Sequence, residues 1–328
     1  MKTLLVLNSA DIRRVLPMTD CIEVIARTMS TVSRGGAQIP PRTVIPVGPN
    51  GELFAAMPGH MDVPHVLGAK IIAVFPQNPQ RGLSSHSGVV ISFNPESGQP
   101  EAILDAAEVT SMRTAAASAV ATRALARPEA STLAILGAGE QAATHLESIA
   151  IVRRLTGVRV WARSIEKARA FAARQAGRHG IPIAAYETVR EAVEGADIVC
   201  TVTASREPIL EGSWLTAGMH VNLVGASRAN TREADDQVVV RSQFFVDFRP
   251  SALLEAGELR HAIQAGLVDE QHIRGEIGEV LNSSLRGRTD GKQITVYKSV
   301  GIAAQDLGAA QAICALAANL GAGTRVPF

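Results

Sequence analysis

Residues 131–142, STLAILGAGEQA, place a short apolar run directly before two glycines that are separated by one residue. The run has the length of a buried strand, and the residues after the glycines follow a helical pattern. A strand that turns at glycines into a helix presents the first backbone N–H groups of that helix to an anion. We predict a dinucleotide site here, because Gly137 permits the tight turn and Gly139 lets the backbone approach a pyrophosphate. The predicted contacts are Gly137, Ala138, Gly139, Glu140 and Gln141.

The residues that follow the turn strengthen this prediction. Ala142 replaces the third glycine of the usual pattern, so the turn alone is weak evidence, and a glycine turn without a nucleotide is the alternative. The predicted strands are 132–137, 157–163, 181–186, 196–203, 219–227 and 243–248, and the predicted helices are 140–154, 164–177 and 188–196. In the first helix, Ala143, Leu146, Ile149 and Ala150 share one face. This alternation predicts a parallel sheet covered on both faces, a Rossmann-type domain, over residues 129–305.

The first 128 residues have a different character. Short alternating runs are interrupted by proline and glycine, and residues 89–105 indicate a hairpin around the turn NPESGQ. A helix of small residues begins at about Thr110 and ends before Pro128. The last segment, 294–320, indicates a strand and an alanine-rich helix that return to the amino-terminal domain. We therefore predict an α/β protein in which the Rossmann-type domain is inserted into an α+β domain of residues 1–128, completed by about residues 306–328.

Composition excludes several classes of partner. The formal net charge is +1, from 32 basic and 31 acidic residues, so no field of a single sign is available to attract nucleic acid. The longest apolar runs are much shorter than the ~20 residues that span a bilayer, and the amino terminus lacks the pattern of a signal peptide. The cysteines, Cys21, Cys200 and Cys314, lie far apart, which is typical of a reduced cytoplasmic protein. The histidines show no HxxxH or HxH spacing, so we expect no metal site.

The end of the second predicted strand indicates which dinucleotide is bound. Cofactors without a 2′-phosphate are usually held there by an acid through the ribose hydroxyls, but the chain has Arg163 and Ser164, with Glu166 inside the following helix. A guanidinium and a hydroxyl suit a phosphate. We predict that NADP(H) is preferred and that NAD(H) is possible; an exposed arginine without a role is the alternative. Three further cofactor contacts, at or after the ends of later strands, are predicted at Thr203, Ala204 and Val224.

Three basic residues of the first half occur among apolar residues. Lys70 interrupts the run VLGAKIIAVF, Arg42 lies between IPP and TVIPV, and Arg113 lies near the start of the small-residue helix. A buried cation is costly unless it meets a counter-charge. A shared anionic ligand, such as a substrate carboxylate, would explain all three. The alternative is that each cation has its own acidic partner or extends to the surface.

These cations and the glycine turn lie in stretches that resemble the ornithine cyclodeaminase/μ-crystallin family along nearly the whole chain. The matching stretches are PPRT (40–43), GAKII (68–72), AILDAAEVTSMRTAAASAVAT (102–122), LAILGAGEQA (133–142), EAVEGADIVCTVT (191–203), VNLVGASRANTRE (221–233) and VYKSVGIAAQD (296–306). The resemblance implies a substrate-binding and dimerisation domain built from both chain ends, with a Rossmann domain between them. It also implies a homodimer and the use of NAD(P)(H) on small amino or imino acids.

The resemblance implies roles for individual residues. Arg42, Lys70 and Arg113 converge on the substrate carboxylate. Lys298 and Ser299 match a family segment near the nicotinamide, although a structural role is the alternative. His86 contacts substrate or nicotinamide, or else is a satisfied loop histidine. We further expect Asp306 to be a helix residue in a polar network, and His60 and His65 to be loop residues.

Ser227 departs from the pattern of the cyclodeaminases and alanine dehydrogenases of the family, which carry an aspartate at this position. Serine is more similar to the μ-crystallin type of ketimine reductase, and we place Ser227 among the substrate-binding residues. Its hydroxyl forms no ion pair with the ammonium of ornithine and is a poor base at neutral pH. A preformed cyclic imine needs only a hydride at C2 and a proton, for which Lys70 is the predicted donor.

The function predicted from the sequence is therefore NADPH-dependent reduction of small cyclic ketimines, Δ1-pyrroline-2-carboxylate or Δ1-piperideine-2-carboxylate, to L-proline or L-pipecolate. Three alternatives stay open. They are ornithine cyclodeamination with NAD, dehydrogenation of alanine or an N-alkyl amino acid, and binding of NADP(H) without turnover.

Overall fold

The computed structural model describes residues 3–328, which form helices and strands in mixed order. The strands are β1 (Thr3–Leu7), β2 (Ala37–Gln38), β3 (Thr43–Pro46), β4 (Leu53–Met61), β5 (Val66–Val74), β6 (His86–Phe93), β7 (Pro100–Asp105), β8 (Thr132–Leu136), β9 (Gly157–Trp161), β10 (Ile183–Tyr186), β11 (Ile198–Thr201), β12 (His220–Leu223), β13 (Gln243–Val246), β14 (Ile273–Glu276), β15 (Thr295–Lys298) and β16 (Thr324–Pro327). The helices are α1 (Ser9–Val15), α2 (Met18–Ser33), α3 (Ala106–Leu125), α4 (Glu140–Val152), α5 (Ile165–His179), α6 (Val189–Val193), α7 (Asp236–Val240), α8 (Arg249–Glu255), α9 (Gly257–Gln264), α10 (Ile277–Leu281) and α11 (Ala303–Leu320).

The chain divides into two compact units. The first unit contains residues 1–113 and 302–328, and the second contains residues 114–301. The first division falls inside α3 rather than at the predicted position after residue 128. The reason is that the second half of α3 packs into the second unit, where the Ser118 hydroxyl lies 3.0 Å from His145 Nε2.

The first unit is built on a mixed sheet in the order β16-β1-β7-β6-β5-β4-β2, with β3 also paired to β4. The predicted hairpin is present as the antiparallel pair β6 and β7. One face of the sheet packs against α11. Gly59 and Gly68 permit this close approach, because a Cβ atom at Gly68 would lie 2.8 Å from Leu307 Cδ2 and one at Gly59 would lie 3.2 Å from Ala303 Cβ.

The opposite face of this sheet is apolar and partly exposed. The strand register aligns one row of side chains across β4, β5, β6, β7 and β1. The members of this row, which we call the outer row, are Pro58, Ala69, Ile91, Ile103 and Val6. None of them is fully buried, and Val6 is 36% exposed. The outer row therefore leaves apolar surface in contact with solvent.

The second unit is built on a sheet in the order β10-β9-β8-β11-β12-β15-β13-β14. All of its strand pairs are parallel, as the alternation of strands and helices predicted. The order along the sheet reverses between β8 and β11, and ligands of open α/β sheets bind at the carboxyl ends of the strands at such a point.

One detail of the sequence prediction was wrong, and a second was incomplete. The strand predicted at the start of segment 294–320 was assigned to the amino-terminal domain, but β15 lies between β12 and β13. All four of its residues are buried, as is usual for an inner strand of a parallel sheet. In α4 the buried face contains Ala142, His145, Leu146 and Ile149, whereas Ala143 and Ala150 are only half-buried.

No helix among residues 3–328 has both the length and the apolar character needed to cross a bilayer.

The close contact between the sheet and α11 gives a stability prediction. Gly68→Ala would place a methyl group against the Ile91 carbonyl of the neighbouring strand β6 and against Leu307 of α11, and we expect the free energy of unfolding to fall by about 1–3 kcal/mol, measured by urea titration. Gly177→Ala is the control, because Gly177 lies in exposed helix α5 with nothing within 4 Å of its Cβ position. It should stabilise the chain by up to about 1 kcal/mol. Equal stability of the two variants would contradict the proposed packing constraint.

Candidate active site

Two buried cations of the first unit share one carboxylate. Lys70 lies in the middle of β5 on the face covered by α11, and its Nζ lies 2.8 Å from Asp306 Oδ2. Arg113 of α3 donates from Nε to Asp306 Oδ1 at 3.0 Å and from Nη1 to Gln305 Oε1 at 2.7 Å. Lys70 is 2% exposed, Arg113 is 5% exposed and Asp306 is fully buried. We call Lys70, Arg113, Arg42 and Asp306 the cationic cluster.

The pKa values within the cationic cluster follow from burial and from neighbouring charges. Burial lowers the pKa of Lys70 to about 8, and Arg113 acts in the same direction while Asp306 opposes it. Burial would raise the pKa of Asp306, but Arg113 and Lys70 more than compensate, so it lies below its usual value. The cluster therefore holds an ionised carboxylate next to an ammonium that can lose its proton near neutral pH.

Arg42 belongs to this cluster, whereas His86 lies further away. Arg42 directly precedes β3, is half-buried, and its charge contributes to lowering the pKa of Lys70. His86 is exposed at the start of β6, and its Nδ1 lies 2.9 Å from the Ser85 hydroxyl. The register pairs Lys70 with Val90, four residues along β6 from His86, which corresponds to about 13 Å. His86 is therefore not among the groups that surround Lys70.

The glycine turn of the second unit fits the phosphates of a dinucleotide. Gly137 has φ +131°, a conformation that favours glycine, and its N–H donates to the Trp161 carbonyl at 2.8 Å. Gly139 is the N-cap of α4, and a Cβ atom there would meet nothing within 4 Å. Gln141 Oε1 is buried and has no hydrogen-bond partner within residues 3–328. Open space at Gly139 and the N–H groups of the helix N-terminus are what the phosphates of a bound dinucleotide would use. Ala138 is half-buried and Glu140 is exposed beside them.

Glu166 lies in the first turn of α5, as expected, and its side chain reaches back to the residue that caps this helix. Ser164 is the N-cap of α5, and its hydroxyl donates to Glu166 Oε2 at 2.7 Å. The hydrogen bond from Ser164 lowers the pKa of Glu166. Arg163 is exposed and has no ion pair or hydrogen bond within the described chain.

The loops after β11 and β12 contain further predicted contacts. Thr203 is half-buried, and both its N–H and its hydroxyl donate to Glu233 Oε1, at 2.6 and 2.7 Å. Ala204 is exposed and Val224 is buried. Ser227 is half-buried, and its hydroxyl makes no hydrogen bond within residues 3–328. Glu233 was missed in the sequence, which offers no local signal that a charged residue at the end of RANTRE folds into the interior.

The side chain of Lys298 is paired inside the second unit, which favours the structural alternative over a direct contact with the cofactor. It is fully buried, its Nζ lies 2.8 Å from Glu258 Oε2 and it donates to the Ala226 carbonyl at 2.5 Å. A lysine in this position needs a counter-charge, and Glu258 supplies it. Ser299 is also buried, and its N–H donates to the Leu223 carbonyl at 3.0 Å.

Comparisons with known proteins agree with this geometry. The model of the ornithine cyclodeaminase/mu-crystallin family matches residues 2–319. This chain belongs to that family. Mouse ketimine reductase mu-crystallin is 35% identical over 292 residues, which cover 89% of this chain and 89% of the mouse protein.

Two solved structures cover almost the whole chain. The Δ1-pyrroline-2-carboxylate reductase of Thermococcus litoralis, in complex with NADH and L-proline, has a TM-score of 0.96 at 33% identity and covers 98% of this chain and 100% of its own. An archaeal alanine dehydrogenase dimer with bound NAD has a TM-score of 0.93 at 28% identity and covers 100% of both chains. The predicted family, fold class and enzyme class, an NAD(P)H-dependent oxidoreductase, are confirmed.

Proposed function

We propose that this protein reduces small cyclic ketimines, Δ1-pyrroline-2-carboxylate or Δ1-piperideine-2-carboxylate, to L-proline or L-pipecolate with NADPH. The observation that carries the proposal is the cationic cluster, in which the buried Lys70 and Arg113 share the carboxylate of Asp306. A pair of buried cations with one common counter-ion retains positive charge that a substrate carboxylate would neutralise. The names of the mouse and Thermococcus relatives support the same substrate class.

Ser227 distinguishes this proposal from the other reactions of the family. Its half-buried hydroxyl carries no charge and has no acidic partner in the described part of the chain, so it offers no counter-ion for an ammonium substrate. In a cyclic imine the reacting nitrogen is already part of the ring, so the protein does not have to hold a separate ammonium group. Ornithine cyclodeamination and the dehydrogenation of alanine or an N-alkyl amino acid would both need a positioned acid or base, whose loss typically costs about 10²–10⁴-fold in rate.

The residues of the cluster have separate tasks in the proposed reaction. Arg113 and Arg42 bind the substrate carboxylate, which fixes C2 and the ring nitrogen relative to the protein. Lys70, held by Asp306, delivers a proton to the ring nitrogen. The nicotinamide cofactor supplies the hydride when it is bound. The glycine turn and the first turn of α4 hold its pyrophosphate.

One assay separates the candidate reactions. The purified protein is incubated with NADPH and either cyclic ketimine, and separately with NAD and ornithine, while absorbance and ammonia are followed. We expect NADPH oxidation with a ketimine and no ammonia from ornithine. Ammonia release without net change in the cofactor would replace the proposal by cyclodeamination. Absence of turnover in both reactions would favour a binding protein.

The pH dependence tests Lys70 as proton donor. Because the pKa of Lys70 is about 8, its ammonium is lost above this pH, and kcat for imine reduction should fall as the pH rises through about 8. Lys70→Met should lose about 10²–10⁴-fold in kcat and no longer show this limb. If Lys70→Met keeps kcat and only KM rises, Lys70 binds substrate but donates no proton. A limb that persists in Lys70→Met arises from the substrate nitrogen instead.

The preference for NADPH is proposed from Arg163, with Glu166 acting against it. The guanidinium of Arg163, which has no partner among residues 3–328, is available to a 2′-phosphate, and a charge-assisted contact contributes about 1.5–3 kcal/mol. The carboxylate of Glu166 repels that phosphate and occupies the Ser164 hydroxyl. The relatives described above hold NADH or NAD, so use of both cofactors is part of the proposal.

Substitution of Arg163 measures this preference. In Arg163→Asp the ratio of kcat/KM for NADPH to that for NADH should fall by about ten- to over a hundred-fold. Glu166→Gln should move the ratio in the opposite direction. Arg174→Asp, an equal charge change at an exposed position of α5, is the control and should leave the ratio unchanged. A constant ratio in Arg163→Asp would refute a role for the guanidinium.

A homodimer is also proposed, with the outer row as its interface. Five apolar residues aligned across five strands form a surface of the kind that is buried between subunits. The archaeal alanine dehydrogenase relative is a dimer, and light scattering of this 34.5 kDa chain tests the proposal directly. We further propose a cytoplasmic location, because the free cysteines suit a reducing compartment.

A further inference from the structure

Glu233 is a buried carboxylate that joins two loops of the second unit. It has no exposed surface and accepts four hydrogen bonds. Its Oε2 accepts from the Thr201 hydroxyl at 2.7 Å and from the Gly225 N–H at 2.6 Å. Its Oε1 accepts from the N–H and the hydroxyl of Thr203. Oε1 therefore accepts hydrogen bonds from the loop 202–205 alone. Oε2 accepts one from the end of β11 and one from the loop 224–227.

The directions of three of these bonds make Glu233 the acceptor. The N–H groups of Thr203 and Gly225 can only donate. The Thr203 hydroxyl accepts from the Ser205 N–H at 3.1 Å, so its own hydrogen points to Glu233. Burial raises the pKa of Glu233, and the hydrogen bonds from Thr201 and Thr203 oppose that rise. Burial of the Glu233 carboxyl group costs free energy, and an apolar side chain would fill the same space at a lower cost.

A second acid extends the connection to a third strand. Glu258 Oε1 accepts from the Glu233 N–H at 3.0 Å, and Glu258 Oε2 pairs with Lys298 at 2.8 Å. Lys298, at the end of β15, donates to the Ala226 carbonyl, one residue before Ser227. We call Glu233, Glu258 and Lys298 the loop clamp. The loop clamp fixes the backbone on both sides of Gly225, where a Cβ atom would lie only 2.6 Å from Glu233 Oε1.

The loop clamp lies at the ligand-binding edge of the sheet. Thr201, Leu223 and Lys298 end three neighbouring parallel strands, β11, β12 and β15. The glycine turn and Arg163 lie on the other side of the switch point, after β8 and β9. A dinucleotide crosses such an edge with its pyrophosphate at the glycine turn. The adenosine half is therefore expected at the ends of β8 and β9, and the nicotinamide half at the ends of β11, β12 and β15.

We propose that Glu233 is a positioning residue that holds the loops 202–205 and 224–227 at the separation needed to receive the nicotinamide half of the dinucleotide. The proposal rests on the use of a dinucleotide in the proposed function, but not on the identity of the imine substrate. Glu233 touches no ligand itself and acts through Thr203 and Gly225. The adenosine half is held by residues outside the loop clamp. Its binding affinity should therefore be insensitive to substitutions in the loop clamp.

Binding of whole and half cofactors tests this role. Calorimetry gives the Kd of NADPH and NADH, and of the fragments 2′,5′-ADP and 5′-AMP, for the full chain and its variants. In Thr201→Val, which removes one hydroxyl donor to Glu233 at nearly constant volume, we expect about tenfold weaker binding of the whole dinucleotide and less than twofold change for the fragments. Glu233→Gln should show a larger effect of the same kind.

The control is Thr122→Val. The Thr122 hydroxyl is also buried in the second unit, but it accepts from Asn222 in the interior of β12 and touches neither loop. The Thr122→Val substitution should leave the ratio of the Kd for the whole dinucleotide to the Kd for the fragments unchanged. If Glu233→Gln does not fold, as a melting curve would show, Thr201→Val still decides the question.

Equal weakening of dinucleotide and fragment binding by Thr201→Val would overturn the proposal, because the loop clamp would then support the whole unit. Unchanged affinity for all ligands would also overturn it. Lack of ketimine turnover would refute the proposed function and leave this result intact. Equal affinity of the wild-type chain for 2′,5′-ADP and 5′-AMP would refute only the NADPH preference.

Discussion

The ion pair between Lys70 and Asp306 is the interaction on which the first unit depends. Removing both charges from water costs several kcal/mol for each ion, and their attraction repays this only when the geometry is close and further hydrogen bonds are present. Asp306 meets these conditions because Arg113 donates to one oxygen of its carboxylate and the Lys70 ammonium forms an ion pair with the other. The same arrangement that stabilises the buried lysine also lowers its pKa to about 8 and keeps positive charge in the interior. Stability and proposed chemistry thus have one origin.

In the second unit, buried side chains determine where the backbone of the ligand-binding edge lies. Glu233 and Lys298 bind loop N–H and carbonyl groups and have no exposed surface. Residues that touch a ligand in such a fold are largely backbone groups, glycines and small side chains, and these have little ability to position themselves. Charged groups behind them supply the rigidity. The carboxyl edge of this sheet therefore depends on buried residues, such as Glu233 and Lys298, that a list of ligand contacts would omit.

Local patterns in the sequence predicted most of the fold, and long-range pairing explains what was missed. The strands and helices around the glycine turn were predictable because each depends on a few neighbouring residues. The position of β15 depends on which strands it pairs with, and no local pattern records this. The cations of the cluster were identified by their apolar surroundings, but Arg113 and Asp306 are separated by 193 residues. The contact of Glu166 with Ser164 and the pairing of Lys298 with Glu258 depend on side-chain conformation and burial, which a matching motif does not record.

The carboxylate that neutralises the cluster is supplied by α11, which is close to the carboxyl end of the chain. During synthesis on the ribosome, Lys70 and Arg113 are made long before Asp306, and the whole second unit emerges between them. Until α11 leaves the exit tunnel, the inner face of the first sheet is uncovered and its two cations lack their counter-ion. The nucleotide-binding unit, which is continuous in sequence, has no such delay and can fold first. The cationic cluster is therefore completed late in synthesis, and a chain that stops before α11 would keep the cations but lack the carboxylate of Asp306.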